Sequence, residues 1–318
     1  MDKKGVVVIG TGLIAKFHVQ SVLQSKNAYL VGVCGRTKEK AAQFIESEKL
    51  EGVLSFGDLN EAMQADGVKI AMVATASGAH DEAVFAAARN KVHALVEKPI
   101  AITVSRGEAM IEACEKAGVK LGCIFQTRWS SEYSEAASKI KSGELGKITY
   151  ASVQVPWWRN DEYYTQSQWH GSWDMDGGGA LINQSIHMID WLVSLMPDIK
   201  GVKAFAGTLA HQMEAEDTAA AVLLFEGGAI GHVYGTTASF PGRSKRMEIT
   251  GTKGTLILGD ESAHGTNRPD ALKCEQHTKA LEAFVLSIDG GEPYPIDGYE
   301  AKKSVSLIEA IYKDSGIR

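Results

Sequence analysis

Cysteine is scarce in this 318-residue chain, and the four present (Cys34, Cys114, Cys123 and Cys274) form no Cys-x-x-Cys pair. That spacing argues against a zinc or iron–sulfur site and suits a reducing compartment. Long apolar runs are missing too. None approaches the roughly 18–20 residues that a membrane-spanning helix needs. Met1-Asp2-Lys3-Lys4 leads directly into a β-branched run without a secretory-signal pattern, so a cytoplasmic location is expected. Basic residues are in no excess. A formal net charge of -6 leaves no overall electrostatic footprint for nucleic acid or an anionic membrane. Internal repeats, low-complexity tracts and an obvious flexible linker are likewise absent.

What remains is an ordinary globular composition, 44% hydrophobic and 23% charged, on a chain long enough for two cores. Short β-branched runs at 5–9, 29–34, 53–56, 68–74, 92–96 and 119–125 alternate with helical patterns such as Thr37–Lys49, His80–Asn90 and Val104–Ala117. Strand–helix alternation predicts a doubly wound parallel sheet with right-handed crossovers, an α/β Rossmann domain over 1–124. The pattern changes after Phe125. A helix is expected over Ser131–Ser142, then a Trp/Tyr-rich loop from Trp157 to Trp173, and a strong helix after Gly177-Gly178-Gly179. Strand-like runs at Thr218–Phe225, Ala229–Thr236 and Lys245–Thr250, separated by short glycine-containing turns, predict an antiparallel sheet in a second domain over 125–318. A last helix is expected at Lys302–Lys313.

Val6-Val7-Val8-Ile9 runs into Gly10-Thr11-Gly12-Leu13-Ile14-Ala15, a dinucleotide-binding turn. Gly10 lets the chain turn tightly, Gly12 lets backbone approach a pyrophosphate, and small Ala15 lets the helix pack on the strand. The helix directs its first N–H groups at the phosphates. The alternative is a structural glycine turn that binds nothing. The second strand ends Val33-Cys34-Gly35-Arg36-Thr37, with no carboxylate to hold an adenosine 2′-hydroxyl. Arg36 can pair with a 2′-phosphate and Thr37 can donate to it, so NADP(H) is favoured over NAD(H). Glu39 lies past the turn and leaves NAD open, and Arg36 read blandly is a solvated surface arginine.

Glu97-Lys98-Pro99 follows the apolar run 92–96. A lysine at the carboxyl end of such a strand sits where open α/β sheets bind ligands. In the second half, Asn183 and His187 are four apart and share a face of the predicted helix, with Asp190 continuing the stripe. Read alone, such a histidine is more often a hydrogen-bonded core residue than a reacting one.

Taken together, these motifs resemble the glucose–fructose oxidoreductase/inositol dehydrogenase (Gfo/Idh/MocA) family. The resemblance runs through the Gly10–Ala15 turn, Thr75 to His80, Glu97-Lys98-Pro99, Gln126-Thr127-Arg128, Ser142 to Ile148, and Gly177 to His187. It implies a second α/β domain for substrate binding and oligomerisation, built on a large, open, mostly antiparallel sheet through which homodimers or homotetramers form. It makes Lys98 and His187 the catalytic pair and suggests a cis Lys98–Pro99 bond. It assigns the cofactor to Gly10, Thr11, Gly12, Leu13, Ile14, Arg36, Thr37, Thr75, His80, Glu97, Lys98 and Gln126. Substrate falls to Arg128, Arg159, Tyr163, Trp169, Asn183 and His187, with no metal. Many members carry aspartate four residues before the histidine; here Asn183 stands there, so His187 must act as base without that carboxylate. Asn183 is then expected to orient substrate, and Asp176 or Asp190 to orient the histidine. Trp169-His170 stands where relatives often have Trp-Arg.

The implied chemistry is hydride transfer between nicotinamide and a secondary hydroxyl or keto carbon of a pyranose sugar, sugar derivative or cyclitol. His187 moves the hydroxyl proton and Lys98 polarises the oxygen. The competing readings are a glycosidase that retains its dinucleotide and a dinucleotide sensor that binds a partner protein.

Overall fold

The computed structural model describes residues 2–166, 169–259 and 274–318. In chain order the elements are β1 (Lys4–Ile9), α1 (Leu13–Gln24), β2 (Ala28–Cys34), α2 (Lys38–Ser47), β3 (Leu54–Phe56), α3 (Leu59–Gln64), β4 (Val68–Val73), α4 (His80–Arg89), β5 (His93–Glu97), α5 (Val104–Ala117) and β6 (Leu121–Ile124). They continue with α6 (Ser131–Lys141), β7 (Ile148–Pro156), α7 (Asp161–Thr165), a π-helical segment (Ala180–Ser185), α8 (Ile186–Leu195), β8 (Ile199–Gly207), β9 (Thr218–Phe225), β10 (Ile230–Thr236), β11 (Arg246–Gly251), β12 (Thr255–Leu258), α9 (Glu275–Ile288) and α10 (Gly298–Ser315). The chain forms two compact units. Among the described residues the first holds 2–101, 105–126 and 274–302, and the second holds 102–104, 127–259 and 303–318. Residues 274–302, grouped by sequence with the second half, therefore belong to the first unit.

The first unit is a six-stranded sheet in the order β3-β2-β1-β4-β5-β6, and all its pairings are parallel. Order reverses at β1, so the crevice at the carboxyl ends of β1 and β4 is the switch point where such sheets take ligands. Val6, Val7, Val8, Ala71, Met72, Val73, Leu95 and Val96 have no exposed surface, as expected for strands covered on both faces. Helix α9 packs on α1 and closes one side of this unit. Its buried stripe is His277, Ala280, Leu281, Phe284 and Val285.

The second sheet runs β12-β11-β7-β10-β9-β8. Only β7 and β10 pair in parallel; the other neighbours are antiparallel. Helix α8 packs on β7 and β11, which covers one face. On β9 the residues alternate strictly, with Ala219, Ala221, Leu223 and Phe225 inside and Ala220, Val222 and Leu224 outside. The outer face carries apolar side chains where a lone sheet would carry polar ones. Phe205 is 87% exposed, and Val222, Leu224 and Ile230 are each about half exposed. No helix among the described residues is long and apolar enough to cross a membrane.

Candidate active site

In the first unit every residue assigned to the cofactor follows, or ends, a parallel strand or opens the next helix. Gly10 has φ +125°, and a Cβ there would meet Ala74 O at 2.5 Å, so glycine is required for the turn. At Gly12 a Cβ would meet nothing within 4 Å, and no side chain caps α1. The first N–H groups of α1 thus face open space, the arrangement that suits a phosphate. Leu13 and Ile14 are exposed apolar residues beside that turn. Two buried polar atoms, Thr75 Oγ1 after β4 and Gln126 Oε1 after β6, have no hydrogen-bond partner among the described residues. Orphaned buried polar atoms around an open helix terminus fit a bound dinucleotide. Arg36 and Thr37 follow β2 and are exposed; Thr37 also caps α2, its Oγ1 accepting from Lys40 N at 3.3 Å.

Lys98 is half-buried, directly after β5, and the Lys98–Pro99 peptide is cis. His80 lies beneath this turn. Its Nδ1 lies 2.9 Å from Pro99 O and its Nε2 3.2 Å from Thr75 O, and burial lowers its pKa. A neutral ring donates once, so the shorter contact to Pro99 O takes the proton. His80 thus ties the Thr75 loop to the lysine turn rather than offering a ring nitrogen to solvent. Glu97 points the other way, as alternation along a strand dictates. Its Oε2 accepts from Lys98 N at 3.1 Å, while Oε1 lies 3.2 Å from His18 Nε2 and 3.8 Å from His277 Nε2.

In the second unit the strong helix expected after the glycines is not uniformly α. Residues 180–185 form a π turn before α8 begins. Asn183 and His187 therefore flank a change of helical pitch, a feature frequent at functional sites. The three glycines make room for protein, not for a ligand. A Cβ at Gly178 would meet the Tyr312 hydroxyl at 2.2 Å, and one at Gly179 would meet Glu216 O at 2.0 Å. Glu216 anchors the turn: its carboxylate accepts from Gly179 N at 2.9 Å, Leu181 N at 2.8 Å and Tyr312 Oη at 2.8 Å.

Asn183 and His187 are both half-buried. The Asn183 amide donates to both oxygens of Asp176, at 2.7 and 2.9 Å. Asp190 is engaged by Arg128, whose Nε and Nη2 donate to it at 2.7 and 2.6 Å. That ion pair is bidentate and almost fully buried, which commits the Arg128 guanidinium to α8. Arg159 lies over the rings of Trp157 and Tyr163, both at 5.3 Å, and donates to Gln184 Oε1 at 2.7 Å. Tyr163 stacks on His170 at 4.3 Å, and Trp169 packs on His170 at 4.2 Å. Arg159, Tyr163, Trp169 and Asn183 are thus joined through Gln184 and His170. His211 supports them, with Nε2 lying 2.9 Å from Arg159 O and Nδ1 3.1 Å from buried Asp217. Gln184, His211, Glu216 and Asp217 escape a sequence reading. Polar residues set among apolar ones, as Gln184 is between Ile182 and Ile186, are the only hint of them.

A parallel sheet with an uncapped helix at its switch point and a lysine at the next strand end defines a nucleotide-binding oxidoreductase fold. Comparison with known proteins agrees. The model of the oxidoreductase family with an NAD-binding Rossmann fold matches residues 4–125, and that of the GFO/IDH/MocA C-terminal domain matches 133–257. The chain belongs to the Gfo/Idh/MocA family. It is similar to the WlbA dehydrogenase of Bordetella pertussis, solved in complex with NADH and UDP-GlcNAcA. Identity is 30%, coverage 99% of this chain and 96% of that one, and the TM-score 0.89. It is 24% identical to the myo-inositol 2-dehydrogenase of Thermotoga maritima over 94% of this chain and 92% of that protein. It is also 24% identical to a Bacillus subtilis scyllo-inositol 2-dehydrogenase (NADP(+)), over 81% of this chain and 69% of that protein.

Proposed function

We propose that this chain is a nicotinamide-dependent oxidoreductase of a secondary hydroxyl or keto carbon in a pyranose sugar, sugar derivative or cyclitol. The observation that carries the reading is the set of unfilled groups at the strand ends of the first unit: the uncapped α1, Thr75 Oγ1 and Gln126 Oε1. The inositol dehydrogenases and the UDP-GlcNAcA complex among its relatives support the substrate class. In this reading the domain around the parallel sheet binds cofactor and the one around the mixed sheet binds substrate. A bound nicotinamide would take or give the hydride. His187 would remove the substrate hydroxyl proton in oxidation and return it in reduction. Lys98 would hold the oxygen on which charge develops. Tyr163, Trp169 and Asn183 would orient the ring, with Arg159 behind them. Arg36 and the lack of a carboxylate at 34–37 favour NADP(H). The apolar outer face of β8–β10 would pack against a second copy, and Phe205→Glu would then lower the mass seen by light scattering.

The test is titration with NADPH and NADH, followed by nicotinamide fluorescence, and then turnover of keto-sugars and cyclitols. Tight NADPH binding that Arg36→Ala weakens is expected; preference for NADH overturns the cofactor choice. Lys98→Met should bind nucleotide normally and lose roughly a hundredfold or more in turnover, the scale of one proton-transfer group. Turnover near that of the unaltered chain would remove Lys98 from the mechanism.

A further inference from the structure

Three arginines described in the second unit are half-buried: Arg128, Arg159 and Arg246. Arg128 pairs with Asp190 at 2.6 Å and Arg246 with Glu248 at 2.8 Å. Among the described residues Arg159 has no carboxylate at ion-pair distance. Its Nη2 donates to Gln184 Oε1 at 2.7 Å and its Nη1 to Trp158 O at 3.2 Å. The guanidinium lies 5.3 Å from the ring centroids of Trp157 and Tyr163 and close to the Tyr163 hydroxyl. Every one of these partners is neutral. Nε is buried, with no acceptor among the described residues. The carboxylate that the network does reach is two amides away: Gln184 Nε2 donates to Asn183 Oδ1 at 3.1 Å, and Asn183 Nδ2 to Asp176 Oδ1 at 2.7 Å. The backbone at this position is held on both sides. Arg159 N donates to Thr237 O at 2.9 Å, and His211 Nε2 lies 2.9 Å from Arg159 O.

A cation drawn partly out of water is costly until a negative charge faces it, and a buried donor without an acceptor adds to that cost. Ring faces and neutral oxygens offset only part of it. Building on the hydride-transfer reading, we propose that Arg159 is a specificity residue for a carboxylate, so that the substrate is a sugar acid rather than a neutral sugar or cyclitol. The ring rests on Tyr163, Trp169 and Asn183, and its carboxylate reaches past Tyr163 to the guanidinium. A planar fork of N–H donors matches a planar carboxylate. The charge matches as well. A phosphate carries about -1.5 to -2 near neutral pH and calls for a second cation, whereas the groups that touch Arg159 supply none. Arg128 cannot take this role, because Asp190 already holds it.

The test is calorimetric titration of the full chain, with and without NADPH, using D-glucuronate, D-galacturonate and D-mannuronate, each against its uncharged primary amide. The uronate whose ring fits should bind about tenfold or more tightly than its amide, the scale of a hydrogen bond to a charged group. Arg159→Gln should bring that pair close to equality. Arg159→Lys keeps the charge without the fork and should keep part of the preference. The ratio is read within each protein, so a change in a variant's stability does not enter it. Should Arg159→Gln not fold, the ratio in the unaltered chain, its decline with added salt and the lysine variant still decide. Amides bound as tightly as uronates, a preference unchanged in Arg159→Gln, or no uronate bound at all overturns the proposal. Glucose 6-phosphate bound more tightly than every uronate overturns it too, by giving the cation to a phosphate. Binding requires no turnover, so the two readings fail separately. Acid preference without hydride transfer to either nucleotide keeps the carboxylate site and removes the hydride-transfer reading. Turnover of neutral polyols without acid preference does the reverse.

Discussion

Glu97 in the first unit and Glu216 in the second are both buried, yet their surroundings push them in opposite directions. Burial raises the pKa of each. Around Glu97 that rise is more than offset by the His18 imidazole beside it and by the fields of His277 and Lys98, and its pKa falls to about 2. His18 Nε2 stands 3.2 Å and His277 Nε2 3.8 Å from Glu97 Oε1, so the nearer ring is the stronger partner. Glu216 accepts two backbone N–H groups and the Tyr312 hydroxyl, but these do not offset burial, which carries its pKa up to about 7. At Glu216 the neutral donors do not repay the loss of water, whereas at Glu97 the His18 contact and the fields of His277 and Lys98 more than repay it. The first unit thus holds a fixed charge next to Lys98, and the second holds a group poised to change charge under its π turn.

The largest effect that would sharpen this contrast is expected from Glu97→Gln. Removing one partner of a buried charged cluster should cost about 3 kcal/mol in urea unfolding. A loss near zero would mean that the Glu97 carboxylate gains nothing from the histidines and Lys98 around it. Glu216→Gln should cost less, about 1–2 kcal/mol, because an amide N–H₂ then faces one of three donors. The smallest effects are slopes against pH. Glu216 has a folded pKa of about 7 above its ordinary 4.5, so the folded state binds the extra proton and stability falls as pH rises from about 4.5 to about 7. Glu216→Gln should flatten that decline. His277, whose pKa burial lowers from 6.5 to about 4, works the other way: stability is lost as pH falls through that window, and His277→Gln should reduce the loss. Glu97 adds a further loss between about 4.5 and about 2. Thermal midpoints read from about pH 2 to about pH 8, a range that spans all three windows, separate the contributions. Equal slopes in all variants would erase the contrast between the two glutamates.

Much of the fold is legible in the residue pattern. The helix expected at Val104–Ala117 and the strand at Thr218–Phe225 appear with those bounds, because each has a clean period bounded by turn residues. Strand β7, central in its sheet, is not among the strands that the sequence predicts. Its segment Ile148–Pro156 mixes Thr, Tyr, Ser and Gln with its apolar residues, so period and propensity gave no clear signal. The π turn escaped for a different reason: Ala180–Ser185 has a good α pattern, and the expansion answers to Glu216 and Tyr312, distant in sequence.

By itself the sequence determined the parallel sheet, the glycine turn at Gly10 and Gly12, the lysine after β5 and the family, because each rests on local spacing within one strand–turn–helix unit. Only the tertiary structure decided what each polar residue answers to. Asp190 goes to Arg128, Asp176 to Asn183, Glu97 to two histidines, and the triple glycine to Tyr312 and Glu216. Those partners come from elements tens to hundreds of residues apart or from neighbouring turns. A hydrogen bond or a field depends on distance in space, which no local period encodes.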